Sequence, residues 1–371
     1  MTSDFPESRP FSAARNYGLA RSVFVSTRTF DRFEIGDRAI EPLYPSFFNA
    51  EGVRQVLAEP NFLQLKAALQ EANAETKRRP PIARALMQSD AWAAFDLLYH
   101  FSNSVRDRNR VEELLPLFSK LVKKLALTQD EIASLPSNYE QARARLNLPD
   151  LFSRDGAWIE IQLLPDRLHD DAADFRRAAR VFIHPVAATD KQALLERLRT
   201  EERPLSQLNG LALVVQDLLV DDQGRVVPSP IIRDVQIRKF TTDANGKLES
   251  TEIQQFELSR GSLLTDAAPG GMIQYTEKSP SYLANAGNDY TFASTISNDG
   301  PQDRWVAVLT TLRGRCESCH GRMVGAFFTL STHEGLPLPP IAQLDSSKHD
   351  RALYVAKRKT DREDFRTLMH Q

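Results

Sequence analysis

The chain has 371 residues, near-average hydrophobic (42%) and charged (26%) fractions, and 47 Lys+Arg against 49 Asp+Glu. The length suits two or three domains, and the composition excludes a largely disordered or collagen-like chain. The near-zero charge argues against broad phosphate neutralisation of a nucleic acid, and no apolar stretch approaches the ~18 residues of a membrane helix.

Residues 1–50 carry little periodicity and read as an arm wrapping the body. From 51 to 147 the pattern is helical. A helix opens at Pro80-Pro81, where proline suits a first turn, and runs through Trp92, Phe95 and Leu98 to Phe101. Between 109 and 126, Val111, Leu114, Leu115, Phe118, Leu121, Val122 and Leu125 recur on one helical face. Thr128 and Glu131 form a capping box for a short helix ending before Pro136. Residues 157–163 alternate as a strand does; a helix near 170–180 and an apolar run at Val181–Ile183 follow. Thr189 opens a further helix to Arg199.

From 209 the character is β. An apolar run ends at the turn signal Asp221-Asp222-Gln223-Gly224. Two arms then flank Asn245-Gly246 as a hairpin, carrying Val235, Ile237 and Phe240, then Ile253, Phe256 and Leu258. Residues 265–288 read as a long loop, 289–296 and 304–312 as strands, and 348–369 as a last, charged helix with Leu353, Val355, Phe365 and Leu368 apolar. Lys357-Arg358-Lys359 reads as a solvated helix face. The expectation is an α+β protein: an N-terminal arm and helical region (1–150), a mixed to antiparallel β region (151–300), and a C-terminal segment (301–371).

The two cysteines of the chain are Cys316 and Cys319, followed by His320 and Gly321. Two thiols cannot staple a chain of this length, and a four-cysteine zinc site within one chain is excluded. Three chemistries remain open besides inert thiols. One is covalent haem attachment. Another is a dithiol redox pair, although no thioredoxin-like strand–helix unit precedes the motif. The third is zinc held by Cys316, Cys319 and two further ligands such as His333 and His349.

Cys316-Glu317-Ser318-Cys319-His320-Gly321 resembles the C-x-x-C-H haem-attachment motif of c-type cytochromes. The resemblance covers these six residues. It implies one covalent haem c in the C-terminal segment, with Cys316 and Cys319 joined to its two vinyl groups and His320 as the proximal iron ligand. Arg313 and Arg315, with Arg322, flank the motif and suit pairing with the propionates. His333 is the first expectation for the opposite face of the iron and His349 the second. Met323 stands too close to His320 to cross the ring plane. Met369 and His370 lie at the frayable end, and His100, His169 and His184 lie upstream.

The resemblance further implies an exported or periplasmic protein passing single electrons to a redox partner, or acting on a small molecule at an open iron site. The first thirty residues carry no apolar signal segment, so a removed export signal is expected. The remaining alternative is a zinc-stabilised interaction protein. No G-x-S-x-G or H-E-x-x-H pattern occurs.

Overall fold

Helix formation begins where apolar residues recur at three- and four-residue steps. In the computed structural model these steps form α1 (Asn61–Ala74), α2 (Pro81–Phe101) and α3 (Arg108–Lys124). The structure describes residues 57–59, 61–75, 79–101, 107–153, 155–163, 177–186, 190, 192–194, 207–243, 248–275, 281–283, 308–310, 341–342 and 351–371. All seven apolar positions expected on α3 are buried, and Lys123 and Lys124 stand in its last turn, where cations suit the helix dipole. The capping box is formed in full at α4 (Gln129–Ala133). Thr128 Oγ1 accepts from Glu131 N at 3.1 Å, and Glu131 Oε2 accepts from Thr128 N at 3.0 Å. Helix α5 (Asn138–Leu146) opens on Ser137 and closes on Asn147 in the left-handed region, which asparagine tolerates.

The middle of the chain folds as an antiparallel meander. Strands β1 (Ile159–Leu163), β2 (Arg177–Pro185), β3 (Leu208–Val220), β4 (Val226–Thr242), β5 (Leu248–Leu258) and β6 (Met272–Tyr275) each pair with the next. The β3–β4 turn is fixed by Asp221, whose Oδ1 accepts from the N–H groups of Gln223 (3.0 Å) and Arg225 (2.8 Å). The expected hairpin arms pair in register, Val235 opposite Phe256 and Ile237 opposite Gln254; its turn residues 244–247 lie outside the described residues. A short helix α6 (Arg260–Thr265) and a 3-10 turn (Pro269–Gly271) lead into β6. Strands β7 (Ser281–Leu283) and β8 (Val308–Thr310) pair with each other, and β9 (Ile341–Ala342) joins the large sheet on the outer edge of β1. The sheet order is therefore β6-β5-β4-β3-β2-β1-β9. The chain ends in α7 (Arg351–Thr360) and α8 (Glu363–His370).

Two apolar cores hold these elements. One gathers α1, α2 and α3 with the β3–β4 turn region and with Ala352, Val355, Ala356, Phe365 and Leu368 of the terminal helices. The other fills the space between α5 and one sheet face, where Tyr139 and Ala142 meet Phe182, Ala212, Val214, Val235, Ile237, Phe256 and Met272. Burial pushes the Tyr139 phenol pKa up, so it stays protonated and donates to Pro149 O at 2.6 Å. Gln88 ties α2 to its neighbours. Its Nε2 donates to Val122 O (3.1 Å) and Val220 O (2.8 Å), and its Oε1 accepts from Val220 N (2.9 Å).

Four details differ from the sequence expectations. Residues 177–180 are strand rather than helix: Ala178 leaves room for α7, which packs against β2 and β4, and the sheet decides the backbone. Residues 272–275 and 281–283 are strands within the expected long loop. The last helix is two, broken at Asp361-Arg362, and Leu353 is 57% exposed rather than buried. Residues 192–194 are helical with Asp190 Oδ1 accepting from Gln192 N (2.8 Å) and Ala193 N (3.3 Å), while Thr189 lies outside the described residues. The arm at 1–50 and the strand expected at 289–296 also lie outside them, and of 304–312 only 308–310 are described, as β8.

Candidate functional site

The residues singled out by the motif are Arg313, Arg315, Cys316, Cys319, His320 and His333. All lie outside the described residues, as do Arg322, Met323, His169 and His349 and the His100 side chain. What the structure places is the pair of strands on either side of them. Strand β8 ends at Thr310, and β9 begins at Ile341, paired with Leu163 on the β1 edge.

Three of the secondary ligand candidates are described. His184 lies on β2, opposite Gly210 of β3, with its ring stacked on Trp158 at 5.0 Å between centroids. Burial holds its pKa below the usual histidine range. A Cβ on Gly210 would lie 2.5 Å from Arg238 O and 3.3 Å from the Trp158 ring, so the bare glycine lets the strands and the indole close up here. Met369 is half-buried against the helical core, close over Gly224 of the β3–β4 turn. His370 is exposed at the end of α8. These three are dispersed: His184 is on the sheet, and Met369 and His370 are on the last helix.

No protein-family model matches the chain. Neither a curated protein nor a solved structure matches it either. The chemistry must therefore be argued from its own residues.

The most concentrated chemistry among the described residues runs along α2, where Arg84, Gln88, Ser89, Asp90 and Asp96 are all buried. Arg84 Nη1 donates to Glu131 at 2.9 Å. Asp90 takes both guanidinium nitrogens of Arg260. Arg233 Nη2 donates to Ser89 Oγ at 3.1 Å, and its Nε reaches both oxygens of Asp217 at 2.8 and 2.7 Å. Arg177 Nε stands 3.6 Å from the same Asp217. Burial lowers the Arg233 pKa, with Asp217 opposing the shift and Arg260 and Arg177 adding to it.

At the other end of α2, Lys359 is wholly buried. Its Nζ lies 3.1 Å from Asp96 Oδ2, 2.9 Å from Asp364 Oδ2 and 5.4 Å from the centre of the Trp92 ring. This overturns the solvated reading of Lys357-Arg358-Lys359, although Lys357 itself is exposed. Each carboxylate in these groups faces a cation fixed by the fold. The arrangement ties α2 to β3, β4, α6, α7 and α8, and its geometry is that of structural cross-links.

Sequence reasoning passed over Asp90, Asp96 and Asp364, and placed Lys359 on a solvated face. The available signal was that α2 is apolar nearly all round, so an acid within it must be buried and partnered. Among the described residues, no group of three or more His, Cys, Asp and Glu is set to hold a metal ion, and no helix is long and apolar enough to cross a membrane.

Proposed function

We propose that the protein is a monohaem c-type cytochrome-like electron-transfer protein of an exported or periplasmic pathway. The observation that carries the reading is the hexapeptide Cys316–Gly321: it uses both cysteines of the chain at the spacing of two haem vinyl groups and places His320 directly after them. A bound haem supplies a one-electron iron couple. Cys316 and Cys319 would hold the haem through thioether links to its vinyl groups, and His320 and His333 would be the ligands of its iron. Arg313 and Arg315 neutralise the propionates. The partner is a redox protein, and a nucleic acid plays no part.

A second reading draws on size. The described residues build two apolar cores in elements that precede and follow the motif, far more body than a single attachment site requires. That mass favours a haem c oxidoreductase acting on a small molecule at an open iron face.

The test is production in a host with haem-maturation machinery. The expected product weighs one haem more than the polypeptide and shows a reduced-minus-oxidised haem c spectrum, and Cys316→Ser and Cys319→Ser each lose one thioether. A mass equal to the bare chain refutes the proposal, and stoichiometric zinc without iron replaces it with a zinc-stabilised interaction protein. Carbon monoxide or cyanide then separates a sealed iron, which ignores both, from an open one.

A further inference from the structure

Lys359 of α7, Asp96 of α2 and Asp364 of α8 meet where water is shut out. Their side chains are 0%, 5% and 1% exposed. Lys359 Nζ donates to Asp96 Oδ2 at 3.1 Å and to Asp364 Oδ2 at 2.9 Å. The wall beside it is aromatic: the Trp92 ring centre lies 5.4 Å from Nζ, and the Phe365 ring tilts against Trp92 at 5.6 Å. Two charges taken out of water lose much of their mutual attraction to desolvation, and a neutral amide in the same place carries a far smaller penalty. The fold also holds the amine and the carboxyl group together for as long as it stands, which replaces a chance encounter in water.

We infer that Lys359 and Asp96 condense in the folded chain to an intramolecular amide, with Asp364 carrying the proton. Nζ gives a proton to Asp364 and attacks Cγ of Asp96, the carbon one bond beyond the oxygen it already touches. A C–N bond forms and one Cγ–O bond breaks. The amide keeps one of the three ammonium hydrogens. The other two leave with one Asp96 oxygen as water, one of them by way of Asp364, which ends as the carboxylate it began as. The positive and negative charges cancel, and no oxidant, reductant or activating group is consumed. The amide N–H still has Asp364 Oδ2 as its acceptor. Asp364 is assigned the proton and not the bond because it is already tied to its own helix. Its Oδ1 accepts from Phe365 N at 2.7 Å, and Arg362 Nε lies 3.4 Å from both its oxygens. Asp96 is 263 residues from Lys359, so the amide clamps the C-terminal helices to α2 by a covalent bond. The inference is independent of the haem reading.

Peptide mass spectrometry tests it, on folded protein denatured just before digestion with trypsin. The peptide that holds Asp96 is expected joined to the peptide that holds Lys359, lighter than their sum by one water. An ion pair does not survive denaturation, whereas an amide does. Lys359→Arg and Asp364→Asn are each expected to give the two peptides separately, the first by losing the nucleophile and the second by losing the proton acceptor. Separate peptides from native protein that unfolds cooperatively overturn the amide, as does a join of Lys359 to Asp364. Undiminished joining in Asp364→Asn overturns the role of Asp364. The native peptide map decides the bond whether or not either variant folds.

Discussion

His184 pairs a titratable ring with the face of Trp158, and burial holds its pKa below that of a free histidine. As pH falls through about 6.5, the unfolded chain takes up this proton before the folded one does. Between the two pKa values the unfolded state binds more protons, so stability decreases as pH drops and is untouched above that window. His184→Phe keeps a ring against Trp158 and removes the titration. The urea midpoint of the native protein should therefore fall more steeply than that of the variant between pH 7 and pH 5. Parallel curves would show that the ring's burial carries no proton linkage.

Among the elements, the junction of α5 with β4 and the Pro269–Gly271 turn is the tightest described. Asn138 acts as an extra strand partner. Its Nδ2 donates to Ile232 O and its Oδ1 accepts from Ile232 N, both at 2.8 Å. Gly270 has φ +56°, and a Cβ there would lie 2.0 Å from Asn138 O. Gly270→Ala should cost more than the about 1–2 kcal/mol of a left-handed non-glycine residue, because the start of α5 has to move as well. A denaturant midpoint within error of the native value would contradict this. Local rules made much of this layer legible: the capping box, the α3 face and the β4–β5 register all follow from patterns within a few residues. The errors arose where distant packing decides. Arg177–Arg180 has no β-branched residue to announce a strand, and it is strand because β3 pairs with it and α7 lies against it. The break at Asp361-Arg362 follows from Asp364, which turns back to Lys359 and receives Phe365 N at 2.7 Å.

For the whole molecule, the C-terminal helices are built into the first core, and Lys359 is their polar bolt. Lys359→Met leaves the buried Asp96 and Asp364 carboxylates without its ammonium and should cost about 3–5 kcal/mol in guanidinium unfolding. Adding Asp96→Asn should recover part of that loss, and a Lys359→Met protein as stable as the native one would show that the bolt carries no net stability. Composition alone gives no sign of such a role, but spacing does: Lys359 continues the buried face of Ala352, Val355 and Ala356 along α7, while Leu353 and Lys357 lie on the exposed face. The Cys316–Gly321 hexapeptide is the opposite case: the haem chemistry proposed for it rests on six adjacent residues, which lie outside the described ones.

The placing of β9 also bears on synthesis. The outer rim of β1 is made early, and its hydrogen-bonding partner emerges from the ribosome only when nearly all of the chain has been translated. Until then a growing polypeptide offers that rim to any neighbouring strand, and a product stopped short of Ile341 keeps offering it.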